Sequence, residues 1–230
     1  MKELTSNPLF GLVLSIGVFL LASRLFKRFP YPFFNPLVVS TVVIILFLKL
    51  TGISYDDYYE GGKMLNTLIT PATVALGIPL YNTLHLLKRH ARSILVGIVT
   101  GSLISGVMMI LFGRLFRLED AVLISVVPKN VTTAIALELA EGLGGISAVT
   151  LVMVIFTGIS GSIMSPFILK LFRVTDPVAQ GIALGSTAHA IGTARAMELG
   201  EVQGAMSGLS IGVTGTITVF VMPVLLNLLT

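Results

Sequence analysis

The sequence predicts an all-α polytopic membrane protein: about seven to eight hydrophobic helical segments in one membrane domain, 1–230. Three observations carry this. Of 230 residues, 54% are hydrophobic and only 11% are charged, against about 25% charged in a soluble domain. The mean hydropathy of +0.96 leaves too little polar surface for a soluble fold of this length. Several apolar runs approach the roughly 20 residues that a spanning helix needs, with short polar connections between them.

In chain order, segment one covers Pro8 to Phe26 and is closed by Arg24, Lys27, Arg28 and Pro30. Its run Leu9–Leu21 has the look of a signal peptide, but Met1-Lys2-Glu3 is a poor basic leader, so we read it as a spanning helix. Segment two runs from Asn35-Pro36 to Leu50, with Pro36 suited to a first helical turn. An acidic loop from Tyr55 to Glu60 follows. Segment three, Met64 to Leu87, contains Pro71 and Pro79 and is closed by Lys88, Arg89, His90 and Arg92. Segment four is Ser93 to Phe112. Segment five, Ala121 to Leu139, is broken by Pro128-Lys129-Asn130. Segment six runs from Ile146 to Phe172, segment seven from Pro177 to Leu199, and segment eight from Ala205 to Leu228.

Segments three, five and seven carry helix breakers and polar groups midway. In hydrocarbon an unsatisfied peptide group costs several kcal/mol, so broken backbone persists only inside protein or along a wet cavity. Discontinuous helices of this kind form binding sites in transporters. A weak internal echo links Thr73-Val74-Ala75-Leu76-Gly77 to Ala188-His189-Ala190-Ile191-Gly192. A second links Val99-Thr100-Gly101-Ser102 to Val213-Thr214-Gly215-Thr216. Corresponding loops of the two halves differ in charge sign, so positive-inside reasoning predicts inverted repeats, 1–115 and 116–230. In that arrangement segment five is re-entrant, and Lys88 and Glu201 lie on opposite faces.

The net charge of +4 comes from Lys and Arg at the ends of apolar runs. That suits a lipid bilayer and argues against nucleic acid. The absence of Cys excludes disulfides and thiolate metal sites. Without Trp, any interfacial aromatic belt relies on Tyr and Phe, as at Tyr55, Tyr58 and Tyr59.

Ionisable groups inside a span are costly and mark function by default. Four qualify: Lys129, His189, Arg195 and Glu198. Lys129 follows Pro128, which frees backbone carbonyls, and Asn130, Thr132 and Thr133 add polar groups. A lysine beside a fresh helix N-terminus attracts a carboxylate; the competing reading is an interfacial lysine snorkelling to water. Arg195 offers a bidentate fork, and His189 offers a donor or a proton carrier. Thr193 adds a hydroxyl between them. Glu198, three residues beyond Arg195, is a structural partner or a proton carrier; the plainer alternative is an Arg195–Glu198 interfacial pair with His189 satisfied in the core. Pro71, Thr73, Gly77, Pro79, Pro128 and Gly192 are the expected helix breaks lining the site. No zinc motif, aspartyl dyad, nucleophile elbow or phosphate loop is present, so we expect no catalytic residue, no metal and no cofactor. Gly158-x-x-Gly161 allows close helix packing, and a homodimer is expected.

Three separated motifs resemble the LrgB/CidB family. They are Thr-Pro-Ala-Thr-Val-Ala-Leu-Gly-Ile-Pro-Leu-Tyr (70–81), Val-Pro-Lys-Asn-Val-Thr-Thr-Ala-Ile-Ala (127–136), and His-Ala-Ile-Gly-Thr-Ala-Arg-Ala-Met-Glu (189–198) followed by Gly-Ala-Met-Ser (204–207). Lys129-Asn130 stands where members of that family often have Lys-Ser. The resemblance implies one of two functions in the cell (inner) membrane. One is an antiholin- or holin-like protein that works with an LrgA/CidA-type membrane partner and modulates murein hydrolase export and lysis. The other is a carrier of small 2-oxo or 2-hydroxy carboxylates such as pyruvate, glycolate and glycerate, like a plastid relative. The intramembrane cations favour the carrier, since a holin-type pore does not require them.

Overall fold

The computed structural model describes residues 7–29, 34, 36–68, 71, 74, 77–82 and 84–229. They fall into two compact units, 1–75 and 76–230. The expected break at Thr73 lies outside the described residues.

The first unit contains α1 (Pro8–Arg28), α2 (Pro36–Thr51) and α3 (Tyr55–Asn66). Asn7 caps α1 by accepting from Leu9 N, and Pro8 takes the first helical position, where its missing N–H costs nothing. The segment expected to be an acidic loop is instead the start of α3. Ser54 accepts from Asp57 N, and Asp56 and Asp57 occupy the first turn. Acidic residues there complement the helix dipole, so the charge marks a helix start rather than a loop. Helices α1 and α3 approach closely: a Cβ on Gly11 would lie 2.1 Å from the Tyr58 carbonyl oxygen. Ser15 and Tyr58 share a hydroxyl hydrogen bond of 2.8 Å across the same contact.

The second unit begins with the short α4 (Gly77–Asn82) and the long α5 (Leu84–Leu115). The basic run Lys88–Arg92, expected to close segment three, lies inside α5. Lys, Arg and Ala are good helix formers; their charges mark where the helix leaves the apolar zone without ending it. The remaining elements are α6 (Asp120–Val126), α7 (Thr133–Gly142), α8 (Ser147–Leu171), α9 (Pro177–Leu199) and α10 (Glu201–Leu229).

Among the described residues, four helices are long and apolar enough to cross a membrane: Leu9–Arg28, Lys88–Leu115, Ser147–Leu171 and Glu201–Leu228; Pro36–Thr51 is apolar but shorter. Segment five folds back on itself, as the re-entrant reading expected, and segment seven, expected to cross, folds back as well.

Segment five becomes the hairpin α6–α7. Its entry lies beside the end of α5, where Arg114 pairs with Asp120 at 3.4 Å and a Cβ on Gly113 would touch Leu123. The backbone leaves helical form around Val127–Thr132 and returns as α7. Leu139 and Leu143 of the return join Leu123, Val126 and Ile110 in one apolar cluster. Ser125 Oγ accepts from Ile146 N at 2.6 Å. Entry and exit therefore share one end of the unit, the Leu115 end.

Segment seven makes the same move inside α9. Ala188 (φ −121, ψ 15) and His189 (φ 42, ψ −132) are not helical. In a continuous helix Leu184 and Ala196 would stand about 18 Å apart along the axis, yet they share one cluster with Leu169. A Cβ on Gly192 would lie 2.4 Å from the Leu184 carbonyl oxygen. The outgoing half packs Gly181 and Gly185 on Gln203 and Ser207. The returning half packs Thr193 on Ser207 and Met197 on Gly204. This second hairpin opens at the Glu201 end. Its bounds, 177 and 199, lie 57 positions after those of the first, 120 and 142.

Both hairpins follow the same helix ending. Arg117 (φ 54) and Arg173 (φ 53) adopt left-handed backbone. Leu118 N then bonds Gly113 O, and Val174 N bonds Leu169 O, as a Schellman closure requires.

Helices α5 and α10 run parallel. Ile94 and Ile98 pack with Ala205 and Met206, and further along Ile110 packs with Met222 and Leu226. Asn82 Nδ2 donates to Glu201 Oε1 at 3.0 Å. Lys88 and Glu201 therefore lie at the same end, contrary to the expectation of opposite faces. Glu201 opens α10, where an acidic residue serves the helix dipole, and acidic residues carry little topological information.

Candidate functional site

The two hairpin tips converge on the middle of α8. In the first, Pro128 is buried at the break, where its missing N–H would otherwise need a partner. Thr132 is the N-cap of α7 but gives it no side-chain hydrogen bond, so the first amides of α7, from Thr133 onward, lack that capping bond. Lys129 Nζ donates to Ser105 Oγ at 3.3 Å, and Asn130 Nδ2 donates to the same oxygen at 2.7 Å. Among the described residues, no acidic side chain pairs with Lys129.

In the second tip His189 is 5% exposed, and its Nε2 lies 3.0 Å from the Val154 carbonyl oxygen. The acceptor fixes Nε2 as the protonated nitrogen and leaves Nδ1 for another partner. Val154 also packs against Val131 and Ala136 of the first hairpin, so both tips reach the same level of α8. Thr193 Oγ1 donates to the His189 carbonyl at 3.0 Å and meets Ser207 Oγ at 2.8 Å, which fastens the returning half-helix to α10. The positive φ of His189 costs on the order of 1–3 kcal/mol and is held by these contacts.

The expected residues thus divide. Lys129, Asn130, Thr132, Thr133, Pro128 and His189 gather at the two tips, and Thr193 and Gly192 brace the second. Arg195 lies two turns down the returning half of α9 from His189, about 9 Å along the axis. It pairs with Glu198, three residues on, and is about a quarter exposed. No described contact ties it to Lys129. Gly77 and Pro79 lie in α4, which packs against α10, and Pro71 is exposed in the first unit. Gly158 and Gly161, expected to offer a dimer face, pack inside the chain against His189 and Ala188.

Three residues that sequence reasoning left out of the site belong beside it. Ser105 receives both first-tip side chains. Ser102 and Thr214 line a cavity next to Asn130 and Pro128. The echo Val99–Ser102 and Val213–Thr216 marked both stretches without disclosing their purpose.

Two helical hairpins packed among four helices long and apolar enough to cross a membrane define a helical membrane protein. Among such proteins this chain belongs to the LrgB-like family, whose model matches residues 15–228. It is 40% identical over 228 residues to the antiholin-like protein LrgB of Bacillus subtilis (strain 168), covering 99% of each chain. It is 40% identical over 220 residues to the protein of the same name from Bacillus mycoides (strain KBAB4), covering 95% of this chain and 96% of that one. It is 39% identical over 199 residues to the protein YxaC of Bacillus subtilis (strain 168), covering 86% of each. No solved structure matches.

Proposed function

We propose that this protein is a multi-pass secondary carrier of small monocarboxylates, 2-oxo or 2-hydroxy acids, in the cell membrane, working without an enzymatic step. The observation that carries the reading is the pair of broken tips that approach α8 from opposite ends, one with Lys129 and the other with His189. An anion leaving water needs charge-assisted donors to offset its lost hydration. Lys129 and the uncapped start of α7 offer them, and His189, whose Nε2 proton goes to the Val154 carbonyl, adds a donor at Nδ1 when its ring is protonated. Two hairpins opening toward opposite ends also suit alternating access, in which each end is exposed in turn. On this reading the inverted relation lies between 120–171 and 177–229 rather than between the chain's halves. A coupled proton would travel through His189, with Glu198 as a second candidate.

The names of the relatives favour a second reading, an antiholin-like protein acting with an LrgA/CidA-type partner. One experiment separates the two: uptake or exchange of labelled pyruvate and glycolate by proteoliposomes holding only this protein. Saturable uptake supports the carrier. Its absence, with activity regained only when a partner is added, supports the second reading.

A further inference from the structure

The cavity beside the first tip has about 20 Å³ open to water-sized molecules, and Ser102, Ser105, Asn130, Thr214 and Thr218 supply its polar lining. Among the described residues, Ser102 Oγ and Thr214 Oγ1 are the buried side-chain atoms with no hydrogen-bond partner, and Thr214 is 1% exposed. Native proteins leave few such groups unpaired, because each forfeits its hydration without replacement. Two on the wall of one cavity mark a place where a polar atom belongs. Val127, Val221, Met222 and Leu225 supply apolar lining, so the hydroxyls are the places where that atom can bond. Ser105 joins the cavity to Lys129. With Lys129 and Asn130 both donating to its oxygen, the Ser105 proton remains for another acceptor.

We infer that this cavity receives a second oxygen of the transported anion, a hydroxyl or oxo group adjacent to its carboxylate, with Ser102 and Thr214 as its hydrogen-bond partners. The inference rests on the carrier reading above and assigns the specificity of that site to two residues. The carboxylate lies toward Lys129 and the uncapped start of α7, and the neighbouring oxygen points into the cavity. A space of this size accepts one oxygen and excludes a bulky substituent. A site built to hydrogen-bond such an oxygen rejects an analogue lacking it, because its own polar groups then stay unpaired.

The test is competition in proteoliposomes: labelled glycolate uptake against unlabelled glycolate or acetate, two anions that differ by one hydroxyl. The wild-type protein should prefer glycolate. Thr214→Val keeps the shape and removes the hydroxyl, so the glycolate-to-acetate preference should fall about fivefold or more. Ser102→Ala should lower it independently, and Thr214→Ser should retain it. Thr216→Val, at an exposed hydroxyl bonded to its own helix, should leave the ratio as in wild type. An unchanged ratio in both Thr214→Val and Ser102→Ala would overturn the inference and make the cavity the seat of a structural water. Equal recognition of glycolate and acetate by the wild-type protein would overturn it while leaving the carrier standing. Recognition of neither anion would overturn both.

Discussion

A Cβ placed on Gly158 would lie 2.7 Å from Cε1 of His189 and 2.8 Å from Cδ1 of Ile191. The glycine is what lets the second hairpin tip seat its imidazole against α8, with Nε2 on the Val154 carbonyl. Helix packing through small residues replaces a side chain with close backbone approach, and here the approach fixes the orientation of an ionisable ring.

Gly158→Ala should therefore act through His189. The ring is held by its hydrogen bond and by buried neighbours, so it has little room to yield, and overpacking of this kind costs typically 1–3 kcal/mol. Thermal unfolding of the purified protein in detergent should show a lowered midpoint. Gly97→Ala, at a glycine on α5 with nothing within 4 Å of the added atom, should not lower it.

Ser125 fastens the first hairpin at its other end. Its hydroxyl donates to the Ala121 carbonyl at 2.6 Å and accepts from Ile146 N at 2.6 Å. Ser125→Ala removes the partner of that amide in a partly exposed turn, a loss of about 1 kcal/mol. Amide hydrogen exchange at residues 143–147 should accelerate relative to wild type. Unchanged protection would mean that the turn is held without the serine.

Much of this arrangement was legible in the residues. The break at Pro128-Lys129-Asn130 announced itself through a proline and a charge inside an apolar run, and the polar tip at His189 did so through an ionisable group among Ala and Gly. The fold-back of segment five followed from loop charges, but that of segment seven did not. Hydropathy reports how much of a segment is apolar, not whether the chain reverses at a break, so the second hairpin read as a crossing. Ser102 and Thr214 stayed hidden because a hydroxyl in a helix of small residues serves packing as readily as binding. Arg195 was assigned to the tip by its residue type. Its position, two turns away with Glu198 at i+3, matches the plainer reading of a local ion pair.

Sidedness follows from the parallel course of α5 and α10. Lys88, Arg89, Arg92, Lys170 and Arg173 gather at the Glu201 end, against Arg114 and Arg117 at the Leu115 end. The positive-inside rule then predicts that the Glu201 end is cytoplasmic. Cysteines introduced singly at Lys88, Glu201 and Arg117 should label with a membrane-impermeant maleimide in two groups. Lys88 and Glu201 should label from the cytoplasmic side, and Arg117 from the other. Labelling of Lys88 and Glu201 from opposite sides would contradict the parallel packing.

The cationic residues separate the site from its surroundings. Among the described residues Lys129 bonds a neutral hydroxyl, Ser105, whereas Arg195 has Glu198. Lys129→Met keeps the length of the side chain and removes the charge. A hydrogen bond to a charged group is worth about 1.5–3 kcal/mol, so carboxylate affinity should fall about tenfold or more, with membrane abundance preserved. Arg195→Lys keeps the charge but loses the planar fork, and it should weaken transport less, because a lysine can still meet Glu198. Lys63→Met alters an exposed residue paired with Glu60 in the first unit and should leave transport at the wild-type level. The measurement is concentration-dependent carboxylate uptake by each variant, normalised to protein in the membrane. Full activity in Lys129→Met would remove the carboxylate site and return the antiholin-like reading to first place.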